Sequence, residues 1–419
     1  IIRLTKRLWD DYSIATAMDD EKTDGRGILR FVGESNVDFK CNSTTNISQL
    51  IIDKGSNDKY KVTLFSKAER FFFFFFSTTN NANPEGFRSG VAYPANPVIL
   101  NKPLWLGAGT LELTGHVFIR SLSEKGDGNN GLDCFYIPER GSLVLNGRDV
   151  KVWTTFSETT VSYASVIPAG RLIIKDGHFD ARGSSGITFV GSSYIDIQGG
   201  TLRGAQFRPS AFALNGLTTY VQSGGTVTFD GCGELNTGAP VFFMPEASYT
   251  FKMTGGTLIV SSAGPEGAFM VKSNPENGKI SGGEIIINTG AAMKSGKDES
   301  KPNYLIATEL PLYKLTLRNS PEIAPKSYAR HYIANVNKKY LNNKYQCNIT
   351  ASTIVENDLT IENGVVFDCQ GLPVTVGGNL NIKSGSTVYT KGGGTSENEF
   401  IMNGSGELTV AGTVACSSS

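Results

Sequence analysis

Residues 223–229 read SGGTVTF and residues 254–260 read TGGTLIV, two segments in which a glycine is followed by alternating polar and apolar residues. The same pattern occurs in three further segments, KDGHFDA at 175–181, QGGTLRG at 198–204 and SGGEIII at 281–287. The glycine before each alternation, here called the marker glycine, is one of Gly177, Gly200, Gly225, Gly256 and Gly283. Successive marker glycines are 23 to 31 residues apart, a period typical of solenoid repeats, and the period-two alternation predicts strands.

The alternation also predicts which side chains point into the core of such a stack. One column of the aligned segments is apolar and is expected to face inward: Phe179, Leu202, Val227, Leu258 and Ile285. The column before it is mostly polar and is expected to face solvent: His178, Thr201, Thr226, Thr257 and Glu284. Strands of adjacent coils lie about 4.8 Å apart, so equivalent residues should stack into ladders. The marker glycines are predicted to form sharp corners, because glycine adopts a positive φ without strain.

The repeat divides the chain into four predicted regions. They are an N-terminal cap and irregular β region at 1–100, main coils at 101–288, an inserted excursion at 289–350 and further coils at 351–419. The main coils include two upstream segments, GAGTLEL at 107–113 and RGSLVLN at 140–146. In these segments Gly109 and Gly141 take the marker position.

Two apolar features lie outside the repeat. Leu4, Leu8 and Tyr12 share one face at helical spacing, which predicts a short helix that caps the N-terminal end of the stack. Phe71–Phe76 is an unbroken run of phenylalanines, and in a strand half of the rings would point outward. These outward rings would either be covered by neighbouring chain or form a surface for self-association or for another partner.

Composition restricts the class of protein. The 419 residues include 48 glycines and only 19% charged residues, which is typical of an ordered, turn-rich β protein. Lysine plus arginine equals aspartate plus glutamate at 39 each, which argues against a general nucleic-acid or anionic-membrane binder. The longest apolar run, Phe71–Phe76, is far shorter than a membrane-spanning helix. The sequence therefore predicts neither a nucleic-acid partner nor a membrane-spanning segment.

The chain start and the cysteines give two further expectations. The first residue is Ile1 rather than methionine, so we expect a processed or excised piece of a longer product. The six cysteines are too sparse for a disulfide framework and form no CxxC pair, so we expect buried free thiols. The three histidines are widely scattered along the chain, so no histidine metal site is expected.

The glycine-led coils at 198–287, and more weakly 104–150 and 352–412, resemble right-handed parallel β-helices of the pectin-lyase-like family. The phrases VGGNLNIKSGSTVYT and GSGELTVAGT are similar to those in secreted adhesin-like surface proteins of the Bacteroidota and in autotransporter passengers. The resemblance implies an all-β, right-handed parallel β-helix and a secreted or cell-surface location. It specifies the fold better than the function, because this fold carries lyases, hydrolases, tailspikes and adhesins.

Four polar residues at alternate positions of one predicted strand form the best candidate site. Asp176, His178, Asp180 and Arg182 are expected to project from the same outward face. They could hold calcium or a uronate, or perform acid–base catalysis on a glycosidic bond. An ordinary solvated polar strand has the same spacing. Lyases of the resembled family use calcium-binding aspartates with a basic residue, whereas the aligned coils place no second carboxylate beside Asp180.

Three tyrosines precede marker glycines by five to seven residues: Tyr194, Tyr220 and Tyr249. Stacked on one outward face, their rings would form a platform that could bind sugars. A packed aromatic ladder with a purely structural role would show the same spacing.

The leading functional hypothesis is an extracellular structural or adhesive β-helix that forms a segment of a larger cell-surface protein. Its sides would bind glycans or protein partners, because the outward columns are rich in threonine and no coil concentrates acid–base groups. The alternative is a polysaccharide lyase or glycoside hydrolase that acts on an acidic polysaccharide, with Asp176, His178, Asp180 and Arg182 at its centre. A third hypothesis is a tailspike-like or trimeric fibre with Phe71–Phe76 at the subunit contact.

Overall fold

The structure is a computed structural model of the chain. It describes residues 2–4, 28–47, 49–73, 104–119, 134–153, 165–181, 186–209, 216–230, 239–261, 267–288, 304–319, 346–348, 352–390, 400–402 and 404–415. Every regular element in these residues is a β-strand, and none of them lies in a helix. The all-β class expected from the alternation is therefore confirmed for the described part of the chain.

The strands before the main repeat are β1 (Ile2–Leu4), β2 (Ile28–Val32), β3 (Val37–Cys41), β4 (Thr45–Ile47), β5 (Gln49–Asp53), β6 (Lys61–Ser66), β7 (Phe71–Phe73), β8 (Leu104–Gly115) and β9 (Phe118–Ile119). The central strands are β10 (Cys134–Ile137), β11 (Gly141–Leu145), β12 (Lys151–Trp153), β13 (Ser165–Pro168), β14 (Arg171–Ile174), β15 (His178–Ala181), β16 (Ile187–Phe189), β17 (Tyr194–Ile197), β18 (Thr201–Gly204), β19 (Phe207–Pro209), β20 (Thr219–Gln222), β21 (Thr226–Phe229), β22 (Phe242–Met244), β23 (Thr250–Val260), β24 (Phe269–Val271), β25 (Lys279–Asn288), β26 (Ile306–Thr308) and β27 (Leu315–Arg318). The C-terminal strands are β28 (Gln346–Asn348), β29 (Thr353–Val355), β30 (Leu359–Ile361), β31 (Val366–Asp368), β32 (Val374–Val376), β33 (Leu380–Ile382), β34 (Thr387–Tyr389), β35 (Phe400–Met402), β36 (Leu408–Val410) and β37 (Thr413–Ala415).

Equivalent strands of successive coils pair in parallel, and each central coil contributes one strand to each of three faces. Face 1 contains β11, β14, β17, β20 and the first parts of β23 and β25. Face 2 follows the marker glycines and contains β12, β15, β18, β21 and the second parts of β23 and β25. Face 3 contains β10, β13, β16, β19, β22, β24 and β26. Each strand lies beside its counterpart one coil away, which makes the arrangement solenoid-like.

Strand register confirms the predicted inward column of face 2. Its members pair in succession and are all buried: Phe179, Leu202, Val227, Leu258 and Ile285. The polar column stacks in the same register, and His178 and Thr201 at its start are exposed. Burial of each large apolar side chain contributes about 1.5–3 kcal/mol, and neighbouring coils supply the cover.

The core between the faces is aromatic in its central coils. The ring centroids of Phe207 and Phe242 lie 4.8 Å apart, and those of Phe242 and Phe269 lie 5.4 Å apart, both in stacked geometry. Tyr220 of face 1 stacks on Phe251 at 5.2 Å. Such offset or stacked pairs add to the stabilisation that area burial alone provides.

Glycine forms the corner between face 1 and face 2. All five marker glycines have a positive φ, from 62° at Gly200 to 96° at Gly177. At Gly256 a Cβ atom would lie 2.3 Å from the carbonyl oxygen of Gly224, so the corner has no room for a side chain. The predicted role of these glycines is confirmed.

The two upstream glycines occupy a different corner, so their predicted alignment is wrong. Gly141 pairs with Gly109, and the next residue, Ser142, pairs with Arg171 at the start of face 1. The corner neighbour of Gly177 is instead Gly147, whose carbonyl oxygen would lie 2.8 Å from a Cβ added to Gly177. The error arose because β8 runs through two faces without the glycine pair that marks later coils.

Parallel coils extend beyond the predicted main region. Strands β2 to β7 already stack in parallel, and β5 pairs with β8 across the predicted boundary at 100. Strands β26 and β27 continue the stack within the predicted excursion, and β27 pairs with β30 across the boundary at 350. These coils lack the glycine-led pattern, which is why the sequence repeat did not reveal them.

An antiparallel strand lies at the N-terminal end of the stack. Ile2 pairs with Phe31, so β1 covers the edge of β2 in antiparallel orientation. The predicted capping helix is therefore wrong at Leu4, which is extended, because strand pairing satisfies the edge of β2 directly. Leu8 and Tyr12 lie outside the described residues.

The last described coil exposes positions that are buried one coil earlier. Leu408 is 54% exposed and Val414 is 48% exposed, whereas their paired counterparts Leu380 and Val388 are 2% and 1% exposed. The inward columns therefore continue to the final described coil, where part of their cover ends.

The structure describes only the first three residues of the phenylalanine run, Phe71–Phe73. Phe71 is buried in the core, and its ring contacts Phe39 edge-on with centroids 6.0 Å apart. This ring is therefore not part of an outward surface. The residues from 74 to 76 lie outside the described part of the chain, so self-association through them stays a prediction.

Candidate functional site

The candidate site lies on the outward side of face 2, where strands β12, β15 and β18 run side by side. One outward row contains Lys151, His178 and Thr201, and the other contains Trp153, Asp180 and Arg203. Members of a row are one strand spacing apart, about 4.8 Å. The rows therefore bring an indole, a carboxylate, a guanidinium, an imidazole and a hydroxyl onto one small surface.

His178 is exposed at this surface and is oriented by a cross-strand hydrogen bond. Its Nδ1 lies 2.8 Å from Oγ1 of Thr201 on the adjacent strand. Because the Thr hydroxyl can donate or accept, the bond fixes the ring position in either tautomer. The Nδ1 edge of the imidazole is directed along the sheet.

Arg203 is anchored by Asp230, which follows β21. The Arg203 Nε donates to Oδ2 of Asp230 at 2.7 Å, and Nη2 lies 2.6 Å from the same oxygen. The Asp230 side chain is 2% exposed and that of Arg203 is 27% exposed. The buried carboxylate therefore holds the guanidinium in place, while Asp180 is the cross-strand neighbour of Arg203 on its other side.

An aromatic pair borders the charged residues. The indole of Trp153 contacts the ring of Phe118 edge-on, with centroids 4.8 Å apart. The Lys151 Nζ lies 5.8 Å from the centroid of the Phe118 ring. Sequence reasoning missed Trp153, because its place beside Asp180 depends on the register of β12, which the misplaced Gly141 obscured.

The structure brings two of the four predicted catalytic residues to this surface. His178 and Asp180 lie on β15 in adjacent outward rows. Asp176 precedes the strand, and its Oδ1 accepts a hydrogen bond of 2.8 Å from the backbone N–H of Gly177. The carboxylate of Asp176 therefore binds at the corner before β15, and Asp176 lies outside the two outward rows. Arg182 lies outside the described residues.

The predicted tyrosine platform is not formed. Tyr220 and Tyr249 are buried at 0% and 2% exposure, and burial raises the pKa of both hydroxyls, with the Glu246 charge adding to the effect at Tyr249. Tyr220 pairs with Ile195, and Tyr194 pairs with Thr219, so the three rings do not stack in one row. The outward-platform alternative is wrong for Tyr220 and Tyr249, because their positions in the coil face the core, as the packed-aromatic alternative predicts.

Tyr194 alone keeps a partly exposed position, on the outward side of face 1. The Arg171 guanidinium carbon lies 4.4 Å from its ring centroid. Burial and the neighbouring Asp196 carboxylate raise the pKa of the Tyr194 hydroxyl, and Arg171 opposes them. Asp196 also accepts a hydrogen bond of 2.8 Å from Nε2 of Gln198, so this carboxylate belongs to face 1 and not to the Asp180 surface.

Comparison of the chain with models of protein families, with curated proteins and with solved structures gave no match.

Among the described residues, no three histidine, cysteine, aspartate or glutamate side chains cluster in a way that could hold a metal ion. The same residues include no helix of the length and apolar character needed to cross a bilayer. Of the cysteines, Cys41 and Cys369 are free and buried.

Proposed function

We propose that the chain is a right-handed parallel β-helix of the pectin-lyase-like type that forms a segment of a larger secreted or cell-surface protein. In this proposal the stack is a scaffold, and its sides bind glycans or protein partners. The parallel pairing of equivalent strands in successive coils supports the fold type. The right hand rests on the general preference of parallel crossover connections. The coil sequences that resemble secreted adhesin-like proteins support the location.

The observation that carries the binding role is the row of Trp153, Asp180 and Arg203 on face 2. The partly exposed indole of Trp153 offers an apolar face against which a sugar ring can pack. Carboxylate and guanidinium groups beside it make directional, charge-assisted hydrogen bonds to hydroxyl groups. The neighbouring His178 and Thr201 add polar contacts on the next row. Such a surface on a rigid sheet is suited to binding a saccharide without a deep cleft.

The alternative function is a polysaccharide lyase or glycoside hydrolase that acts on an acidic polysaccharide. It is favoured by the exposed imidazole of His178 in the row next to Asp180, with Arg203 across from Asp180. Against it, the direct cross-strand neighbours of Asp180 are Trp153 and Arg203, not a second carboxylate. Most glycoside hydrolases use a pair of carboxyl groups that flank the scissile bond. We therefore place binding first and catalysis second.

A polysaccharide panel separates the two functions. The 419-residue chain is tested against acidic and neutral polysaccharides, with and without calcium, for both retention and product release. The binding proposal expects retention without release, and a loss of retention in Trp153→Ala. Lys252→Ala, which replaces an exposed lysine on face 1, is the control and should retain full binding.

Two results would contradict the proposed binding role. Release of product that disappears in Asp180→Ala would place catalysis on β15 and favour the enzyme. Equal retention by the wild-type chain and Trp153→Ala would show that face 2 is not the binding surface.

A further inference from the structure

Face 3 differs from the other two faces in the chemistry of its outward side. The central residue of each short strand points outward, because its neighbours on both sides are buried in the core. Cross-strand register aligns these residues in one row: Tyr136, Ile167, Thr188, Arg208, Phe243, Met270 and Ala307. Most of the row is apolar or aromatic, and most members are partly exposed. Tyrosine, phenylalanine, methionine and arginine are the residues enriched in the centres of protein–protein interfaces.

Two polar atoms in the middle of this row have no hydrogen-bond partner. They are Oγ1 of Thr188 and Nε of Arg208, on paired residues of adjacent strands. Thr188 is 6% exposed, and burial lowers the pKa of Arg208. The Arg208 Nη1 donates only a 3.3 Å bond to the carbonyl oxygen of Pro209. A buried polar atom without a partner is costly, so a carboxylate that reaches the partly exposed Arg208 side chain would be stabilising here.

The backbone of face 3 leaves little room for an added strand. The strands from β13 to β24 each pair in parallel on both sides, so their main-chain groups face other strands of the sheet. Recognition at the middle of this face must therefore use side chains. This argues against a partner that binds as an additional β-strand.

A second copy of the chain is disfavoured as the partner that binds this row, because of the position of Arg208. The row extends from Tyr136 on β10 to Ala307 on β26, and Arg208 is three strands from each end. If two copies overlapped fully around a two-fold axis, each Arg208 would lie opposite its own copy. Like charges in a desolvated contact are strongly unfavourable. The row instead favours a different partner with a carboxylate at its centre.

We propose that the outward row of face 3 docks an amphipathic helix of a partner protein, with an Asp or Glu of that helix opposite Arg208. Apolar residues at alternating spacings of three and four recur about every 5.2 Å along a helix. The strands of the sheet recur about every 4.8 Å, so the two repeats stay in step over several residues. The carboxylate would supply an acceptor to Arg208, and the apolar stripe would cover Ile167, Phe243 and Met270.

This inference rests on the proposed scaffold role, and it names one kind of partner for a side of the stack. It places that partner on face 3, whereas the proposed glycan surface is on face 2. Variants at Trp153 and at Arg208 therefore test the two proposals separately.

A displayed library of short helical peptides is the probe. The library is selected on the immobilised 419-residue chain, and enriched peptides are then measured by titration. We expect them to share an apolar stripe that contains one Asp or Glu, and to bind Arg208→Glu roughly tenfold or more weakly than wild type. Replacement of the peptide acid by Lys should restore binding to Arg208→Glu. Lys252→Glu on face 1 is the charge-matched control and should leave binding unchanged.

Two further variants guard against misfolding. Arg208→Lys keeps the charge, and Phe243→Ser removes the apolar contact. A thermal melt of each variant, recorded with the titration, shows whether it still folds. Selected peptides that lack an acidic residue, or that bind Arg208→Glu as tightly as wild type, would overturn the proposal. An empty selection would overturn it too. So would a carboxylated oligosaccharide that binds in place of peptides in an Arg208-dependent manner.

Discussion

The hydroxyl of Tyr220 donates a hydrogen bond of 2.8 Å to Oε1 of Gln222, and both side chains are fully buried in the core. The Gln222 Nε2 in turn donates to the carbonyl oxygen of Thr257 at 3.1 Å. The glutamine occupies an inward position that Ile197 and Met253 fill in the adjacent coils. A polar residue in this apolar column is thus tolerated because its amide is hydrogen-bonded on both ends.

We expect Tyr220→Phe to lower the free energy of unfolding by about 1–3 kcal/mol, because Oε1 of Gln222 stays buried and loses a donor. Urea titration measures this change. Tyr60→Phe, at a partly exposed tyrosine, should change stability by less than about 0.5 kcal/mol. Adding Gln222→Met to Tyr220→Phe should recover part of the loss, since both polar partners are then replaced. A double variant as unstable as the sum of the single variants would contradict the pairing.

We expect Gly256→Ala to destabilise the stack more than Gly33→Ala. Both glycines have a positive φ, 77° and 87°, which costs about 1–2 kcal/mol for a residue with a Cβ atom. At Gly256 the added carbon would also meet the Gly224 carbonyl oxygen at 2.3 Å, whereas at Gly33 nothing lies within 4 Å. Thermal denaturation of the two variants separates backbone strain from the clash. Equal losses would mean that the corner can shift to accept a methyl group.

Glu112 should make stability depend on acid pH. Burial alone would raise its pKa, but hydrogen bonds from Lys61 and Asn146 and the charges of Lys61 and Lys175 outweigh it and hold the pKa below its usual value. The Lys61 Nζ lies 2.5 Å from Oε2, and the Asn146 Nδ2 lies 2.8 Å from Oε1. Because the folded pKa is depressed, this contribution is complete above the unfolded pKa of about 4.3. It is lost as pH falls through the folded pKa.

The measurement is the free energy of unfolding of wild type and Glu112→Gln between about pH 7 and about pH 3. The wild type should be the more stable at neutral pH, and the difference should shrink as the pH falls below about 4.3. A difference that is constant over this range would show that ionisation of Glu112 does not contribute.

Cys369 should resist alkylation in the folded protein. Burial and the neighbouring Asp368 raise its pKa to about 12, and the thiolate is the reactive species. We expect iodoacetamide near neutral pH to leave the Cys369 peptide unmodified until urea unfolds the chain, with mass spectrometry as the readout. Rapid modification without denaturant would contradict the burial of this thiol.

Much of the fold could be predicted from the sequence where a coil begins with a glycine pair. In those coils the inward column from Phe179 to Ile285 and the corner at Gly256 follow directly from alternation and from steric limits. Where the glycine pair is missing, the local sequence does not indicate the register of the strands. Gly109 and Gly141 were therefore aligned to the wrong corner.

The candidate site was predictable only along one strand. His178 and Asp180 share β15, so their outward projection follows from sequence. Their cross-strand neighbours Trp153 and Arg203 depend on pairing between coils of unequal length. A change of one residue in register moves a side chain to the opposite face, which is also why the sequence left open whether Tyr220 lies inside or outside.

The half-exposed Leu408 and Val414 of the last described coil imply that local stability is uneven along the stack. In a one-dimensional array each layer is held by its two neighbours, and a layer with weaker contact on one side opens first. Amide protons of residues 404–415 should therefore exchange with deuterium well before those of β18 or β21. Unfolding is then expected to begin in this coil and to proceed coil by coil toward the aromatic central coils.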